Sequence, residues 1–314
     1  MARVTEPRNE YMLVLLRCFV HAFIKSQFYT KPRRAPAKTD LSGQVAIVTG
    51  GITGLAYHCA SHPLSLKLSH LILTVRSPEE GECAASKLRA DYPTAKILIW
   101  SLEIVSYSTI RAFCRRVDNN LPQLDVAILN AGVLSTFLLA ILMLPICKNK
   151  APRGNRGRLT IVSSGTALVA KLPNRDKRPL LASFDDVNVQ PWNSVERHFS
   201  SKMLGHLFFV QMLEYLNSDD VIVNLAERGM RKGSELHRGA RGFAAVFLNT
   251  VKALAGRRPE NGVWAYVDAA VVKGNESHGC FLMDWETHPF TRLAYLLEGQ
   301  PTMDALWEET LGQI

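Results

Sequence analysis

Residues 44–56 read QVAIVTGGITGLA, and the architecture of the whole chain can be worked out from them. Apolar and mostly β-branched residues lead directly into a turn that is rich in glycine, and an apolar stretch of helical character follows. Glycines let the backbone turn tightly and approach a pyrophosphate at the N-terminus of the next helix. This order therefore predicts a dinucleotide site at Gly50, Gly54 and Leu55, and the alternative is an ordinary glycine-rich turn.

Beyond this turn, short apolar runs alternate with helical stretches, as in a parallel sheet whose strands are covered on both faces. The predicted strands are 44–48, 71–75, 95–99, 126–129, 159–163 and 221–224, with a seventh at 280–283. The predicted helices between them include 82–90, 107–117 and 195–216. The alternation predicts an α/β fold, a single doubly wound Rossmann-type domain with a parallel sheet of about seven strands.

Composition limits the classes of protein that need to be considered. The 314 residues suit one large domain over residues 41–314. The formal net charge is +9, but the basic residues are dispersed and form no run interleaved with aromatic residues, so we expect no nucleic-acid partner. A cationic surface, a phosphate-bearing cofactor or a membrane surface would each account for the charge. The six cysteines form no CxxC pair, which indicates reduced thiols in a cytoplasmic protein and no metal site.

Residues 1–40 are predicted to form an amphipathic helix and a basic linker ahead of the domain. Residues 11–29 read YMLVLLRCFVHAFIKSQFY, which is too short and too interrupted to span a bilayer. Arg17, His21 and Lys25 are spaced by four residues and would form one polar stripe on a largely apolar helix. This pattern fits peripheral contact with a membrane, and the alternative is packing of the helix on its own domain.

Arg76 follows the second predicted strand, at the position that faces the adenosine ribose in folds of this type. An acidic residue there would bind the 2′-hydroxyl, whereas an arginine suits a 2′-phosphate. Arg76 therefore favours NADP(H) over NAD(H) as the cofactor, unless it is merely a surface arginine.

Three segments resemble motifs of the short-chain dehydrogenase/reductase family. Residues 49–54 are similar to its cofactor turn, residues 130–132 (NAG) to the motif after its fourth strand, and residues 163–164 to its catalytic-serine segment. The SKMLG segment at 201–205 is similar to retinol-dehydrogenase-like members of fungal secondary-metabolite pathways.

The resemblance implies cofactor contacts by Asn130, by Glu103 and by Lys202. It also implies a lipophilic carbonyl or alcohol substrate under a lid around 231–262, and a homo-oligomer. Glu103 stands where the family usually has an aspartate near the adenine, which is a mild change.

The resemblance also assigns the catalytic groups. The family uses a serine to hold the substrate oxygen, a tyrosine to exchange the proton, and a lysine four residues later whose charge lowers the tyrosine pKa. Here Ser164 takes the serine position, with Ser163 as the alternative, and Lys202 is the lysine. His198 stands in place of the tyrosine. Imidazole is shorter than phenol, and the charge of Lys202 opposes an imidazolium, although histidine can shuttle protons near neutral pH.

A second departure lies between Val133 and the apolar helical run at 134–145. The family usually carries there a helix start with an asparagine that supports a proton-relay water, and this chain has no candidate for it. Three hypotheses follow: an NADP(H)-dependent oxidoreductase, an impaired or inactive relative that only binds the cofactor, and a protein that acts at a membrane surface. Lys202 could also be only a ligand of the cofactor ribose, a family role that is independent of proton transfer.

Overall fold

The structure is a computed structural model that describes residues 24–50, 55–130, 134–189, 192–227 and 259–312. The strands form one sheet and are, in chain order, β1 (Val45–Val48), β2 (His70–Val75), β3 (Lys96–Ser101), β4 (Val126–Leu129), β5 (Gly157–Ser163), β6 (Val221–Glu227), β7 (Phe281–Met283) and β8 (Glu286–His288). The helices are α1 (Leu55–Ser65), α2 (Pro78–Asp91), α3 (Tyr107–Asn120), α4 (Leu134–Asn149), α5 (Leu180–Ser183), α6 (Ser194–Leu213), α7 (Pro259–Val267) and α8 (Gln300–Leu311).

The strand order confirms a doubly wound sheet. It runs β3-β2-β1-β4-β5-β6-β7-β8, and every pair is parallel except β7 with β8. All seven predicted strands are present, while β8 is an antiparallel edge strand that the sequence analysis missed. The turn before β8 contains Asp284 and Trp285 at φ of 54° and 66°, a geometry that hairpins usually build with asparagine and glycine.

Two apolar cores cover the two faces of the sheet. Successive side chains of a strand point to opposite faces, so Ile47 joins one core while Ala46 and Val48 join the other. The first core contains side chains of α3, α4, α6 and α8, and the second contains side chains of α1, α2 and α7. The helices thereby fix the strand ends, where the candidate site lies.

Helix α6 lies beside the site, and α8 packs against it. The ring of Trp307 lies 5.0 Å from the ring of Phe208 and stacks on Tyr215 at 4.9 Å. Met203, Leu204 and the residues that follow in α6 are buried in the first core. Helix α6 is therefore packed between α8 and the first core. This packing fixes the direction of the side chains on the face of α6 that carries the site residues.

The described part of the N-terminal segment packs on its own domain. Ser26 Oγ donates a hydrogen bond to Asp284 Oδ1 at 2.9 Å, and Arg33 forms an ion pair with Glu286 at 3.5 Å. Residues 11–23 of the predicted helix, and residues 231–258 of the predicted lid, lie outside the described residues. Among the residues that are described, no helix combines the length and the apolar character that crossing a membrane requires.

Candidate active site

The centre of the candidate site is the switch point of the sheet, where β1 lies beside β4 although two strands separate them in sequence. The backbone N–H of Asn130 donates to Thr49 Oγ1 at 3.1 Å, and the N–H of Thr49 donates to the carbonyl of Ile128 at 2.9 Å. Ligands of open α/β sheets bind in the crevice outside the carboxyl ends of strands at such a point. The structure therefore brings the predicted residues Gly50 and Asn130 to one crevice.

The first part of the glycine turn has the expected conformation. Gly50 has a φ of 97°, which side-chain-bearing residues rarely adopt. Residues 51–54 lie outside the described residues, so the role of Gly54 stays a prediction. Helix α1 begins at Leu55, directly after the turn, and its N-terminus provides the polarity that favours an anion.

Arg76 and Glu103 follow the next two strands at the same edge of the sheet. Arg76 is exposed directly after β2, and Ser77 caps α2 beside it. The Glu103 Oε1 atom accepts a hydrogen bond from the backbone N–H of Val105 at 3.4 Å, so the carboxylate lies against its own loop. Because β2 adjoins β1, Arg76 is available to a ligand that extends from the glycine turn toward β2.

Ser164 begins the turn that follows β5. Its Oγ atom accepts a hydrogen bond from the backbone N–H of Thr166 at 3.3 Å and another from Thr166 Oγ1 at 3.0 Å. A serine hydroxyl has two acceptor positions and one donor hydrogen. With both acceptor positions used, the O–H of Ser164 is left to donate to a substrate oxygen.

Glu196 ties the loop that follows Ser164 to helix α6. Its Oε1 atom accepts hydrogen bonds from the backbone N–H of Lys171 at 2.8 Å and from Ser200 Oγ at 3.0 Å. Asn193 caps the helix by accepting from the N–H groups of residues 195 and 196. An asparagine followed three residues later by glutamate is a typical helix start, but here the glutamate reaches the loop, which the sequence analysis did not foresee.

His198, Lys202 and His206 follow one another at intervals of four residues on α6, so they share one face of the helix. The Nε2 atom of His198 is inaccessible to solvent. Lys202 lines a small cavity with Ser163 at the end of β5. The structure thus brings Lys202 to the serine pair, and α6 packs against the 3-10 turn that Ser164 begins.

His206 is a polar residue of the site that the sequence analysis missed. It is fully buried, its Nε2 atom lies 3.1 Å from Ser163 Oγ, and its ring contacts Phe281. Burial, together with the charge of Lys202, lowers the pKa of His206 to about 3, so the imidazole is neutral at physiological pH. The four-residue step from Lys202 was the only signal in the sequence.

The buried His206 predicts a loss of stability in acid. Its pKa is lower in the folded chain than the value of about 6.5 in the unfolded chain, so only the unfolded chain takes up the proton between these values. The free energy of unfolding should fall by about 1.4 kcal/mol per pH unit below pH 6.5 from this residue alone. Burial lowers the pKa of four more histidines, which add to the slope: His62, His70, His278 and His288.

Denaturant unfolding between pH 7 and pH 5 checks this prediction. His206→Gln should have a shallower dependence on pH than the parent chain. Parallel slopes for the parent chain and the His206 variant would contradict the assignment.

Comparison with known proteins decides the family. The chain is 48% identical over 316 residues to the short chain dehydrogenase/reductase mfmJ of Annulohypoxylon moriforme, covering 94% of this chain and 91% of that protein. The chain belongs to the short-chain dehydrogenase/reductase family. The short chain dehydrogenase virL of Hypocrea virens is 33% identical over 313 residues, covering 93% and 91% of the two chains. The family model described as short chain dehydrogenase matches residues 44–169.

A solved structure supports the fold. The Pseudomonas aeruginosa RhlG/NADP active-site complex superposes with a TM-score of 0.59 at 18% identity, covering 78% of this chain and 95% of that one. As a short-chain dehydrogenase/reductase, this chain belongs to a family of oxidoreductases. The assignment of Ser164, Lys202 and His198 to the serine, lysine and tyrosine positions of the family stays a prediction.

Proposed function

We propose that this short-chain dehydrogenase/reductase is an NADP(H)-dependent oxidoreductase that acts on a lipophilic carbonyl or alcohol in secondary-metabolite biosynthesis. The observation that carries the proposal is the shared edge of the sheet, where Gly50, Arg76 and Asn130 follow the ends of the neighbouring strands β1, β2 and β4. The resemblance of the segment at 201–205 to retinol-dehydrogenase-like members of fungal secondary-metabolite pathways supports the substrate class and the pathway type.

The described residues fit NADP(H). Gly50 has the backbone conformation that a close approach of pyrophosphate requires, and α1 starts directly after the turn. Arg76 is exposed one strand away, where it can pair with a 2′-phosphate, and an arginine forms strong bidentate bonds with phosphate. The cofactor supplies hydride chemistry, and RhlG, a protein of the same fold, has been solved with NADP.

The residues of the chain itself position the substrate and move the proton. Ser164 donates its O–H to the substrate oxygen, and Lys202 holds the ribose hydroxyls and supplies positive charge. His198 exchanges the proton in place of the tyrosine. Met283 lies against Gly165, directly after Ser164, and contributes an apolar surface beside the substrate oxygen.

The second candidate is a catalytically impaired relative that retains cofactor binding. Two features of the sequence favour it: His198 stands where the family would have its tyrosine, and residues 133–145 contain no candidate for the relay asparagine. Peripheral membrane contact through residues 11–29, homo-oligomer formation and a cytoplasmic location remain proposals.

Arg76→Ala tests the choice of cofactor. Losing the charge-assisted bonds to a 2′-phosphate should weaken NADPH binding about tenfold to 100-fold and leave NADH binding unchanged. Cofactor fluorescence measures both affinities. Arg115→Ala, which removes an exposed arginine of α3, is the matched control and should bind both cofactors like the parent chain. Equal losses for the two cofactors would contradict a role in phosphate recognition.

A further inference from the structure

A buried polar cluster lies beside Lys202, at the carboxyl end of β5. Thr136 of α4, Ser163 of β5 and Lys202 of α6 line one small cavity, whose other walls are apolar side chains and Gly205. The cavity has room for about one water molecule. Three polar residues from three different elements therefore line a space of that size.

The buried hydroxyl of Thr136 is the first indication that the cavity holds a ligand. Its side chain is 2% exposed, and its Oγ1 atom is inaccessible to solvent and makes no hydrogen bond with the described residues. A buried hydroxyl without a partner is costly, and native proteins rarely leave one unpaired. An oxygen-bearing ligand in the cavity would satisfy it.

His206 determines which way the Ser163 hydroxyl points. The neutral imidazole carries one N–H, and its Nδ1 atom is buried without a hydrogen-bond partner. A buried N–H group without an acceptor is rarer in proteins than a buried acceptor without a donor. The proton of the ring is therefore assigned to Nε2, and the unpartnered Nδ1 atom is the bare nitrogen. The Nε2–H group then donates to Ser163 Oγ at 3.1 Å, and the O–H of Ser163 is left to donate into the cavity.

We propose that Thr136, Ser163 and Lys202 bind one internal water molecule, and that His206 is a positioning residue that holds Ser163 as a donor to this water. The Ser163 O–H and the ammonium of Lys202 donate to the water oxygen, and the water donates to Thr136 Oγ1. Three bonds are the usual number for a buried water. The site goes beyond the proposed oxidoreductase function and does not depend on turnover.

The tautomer of His206 is one test. Nitrogen NMR of ¹⁵N-histidine-labelled protein distinguishes a protonated from a bare ring nitrogen, and the His206→Gln and Ser163→Ala variants both assign the signal. We expect an imidazole with the proton on Nε2 throughout pH 5–8. A proton on Nδ1, or a ring that becomes charged in this range, would overturn the role of His206.

Thr136→Val tests the water itself, because valine keeps the shape and removes the hydroxyl. If Oγ1 had no ligand, the variant would be more stable than the parent chain, since an unsatisfied polar group would be gone. With the water bound, the unfolding equilibrium constant should rise about twofold to tenfold. Ser163→Ala combined with Thr136→Val should then cost less than the sum of the two changes, because they share the water.

A Thr136→Val protein that is as stable to unfolding as the parent chain, or more stable, would contradict the water site. Strict additivity of the two changes would also contradict a shared ligand. Cofactor affinity, measured on Thr136→Val, separates this outcome from a failure of the proposed function, since this variant should still bind NADPH.

Discussion

His198→Tyr is expected to raise the rate of NADPH-dependent reduction of a lipophilic ketone by about 10²–10⁴-fold. This is the usual contribution of a positioned general acid. The substitution places a phenol hydroxyl four residues before Lys202, on the same face of α6. The expected gain can be read as the consumption of reduced cofactor with a panel of ketones and aldehydes.

His198→Phe is the matched control, because it supplies an aromatic ring of similar size without the hydroxyl. It should show no gain over the parent chain. Equal rates for the tyrosine and phenylalanine variants would mean that the missing hydroxyl is not what limits turnover. The missing relay asparagine between β4 and α4 would then be the feature that limits turnover.

Lys202→Met is expected to have the second large effect. Methionine has similar bulk without the charge, so cofactor binding should weaken about tenfold to 100-fold through the loss of a charged hydrogen-bond donor. In the His198→Tyr protein the same change should also abolish the gained turnover, since groups that act as a unit are not additive. NADPH titration and steady-state rates of the four proteins form one cycle.

Lys171→Met is the control for the lysine, because Lys171 is exposed in the loop after Ser164. It should leave NADPH affinity and turnover unchanged. If Lys202→Met binds NADPH as tightly as the parent chain and keeps the gained turnover, Lys202 is neither a ribose ligand nor a catalytic group.

Most of the sheet could be predicted, because each parallel strand is a short apolar run between polar turns. Strand β5 was predicted at 159–163 and observed at Gly157–Ser163. Strand β8 could not be predicted, since its three residues, ETH, carry no apolar alternation. Helix α6 was predicted to continue to residue 216, but it ends at Leu213, after which Tyr215 stacks on Trp307.

Of the candidate site, too, one part could be predicted from the sequence and another could not. Gly50, Arg76 and Asn130 lie within two residues of the carboxyl ends of strands, so the parallel topology alone brings them to one edge. The contact of His206 with Ser163 joins residues 43 positions apart. That of Glu196 with Lys171 joins residues 25 positions apart. Such pairs depend on how α6 packs against β5 and its loop, which the periodicity of a single sequence does not specify.

Calorimetric titration of the full chain with NADPH and then with NADH tests the central claim most directly. The account predicts saturable binding of one NADPH per chain, with NADH at least about tenfold weaker because it offers no 2′-phosphate to Arg76. No heat with either cofactor, from a protein shown to be folded, would contradict the claim that the edge formed by β1, β2 and β4 is a dinucleotide site.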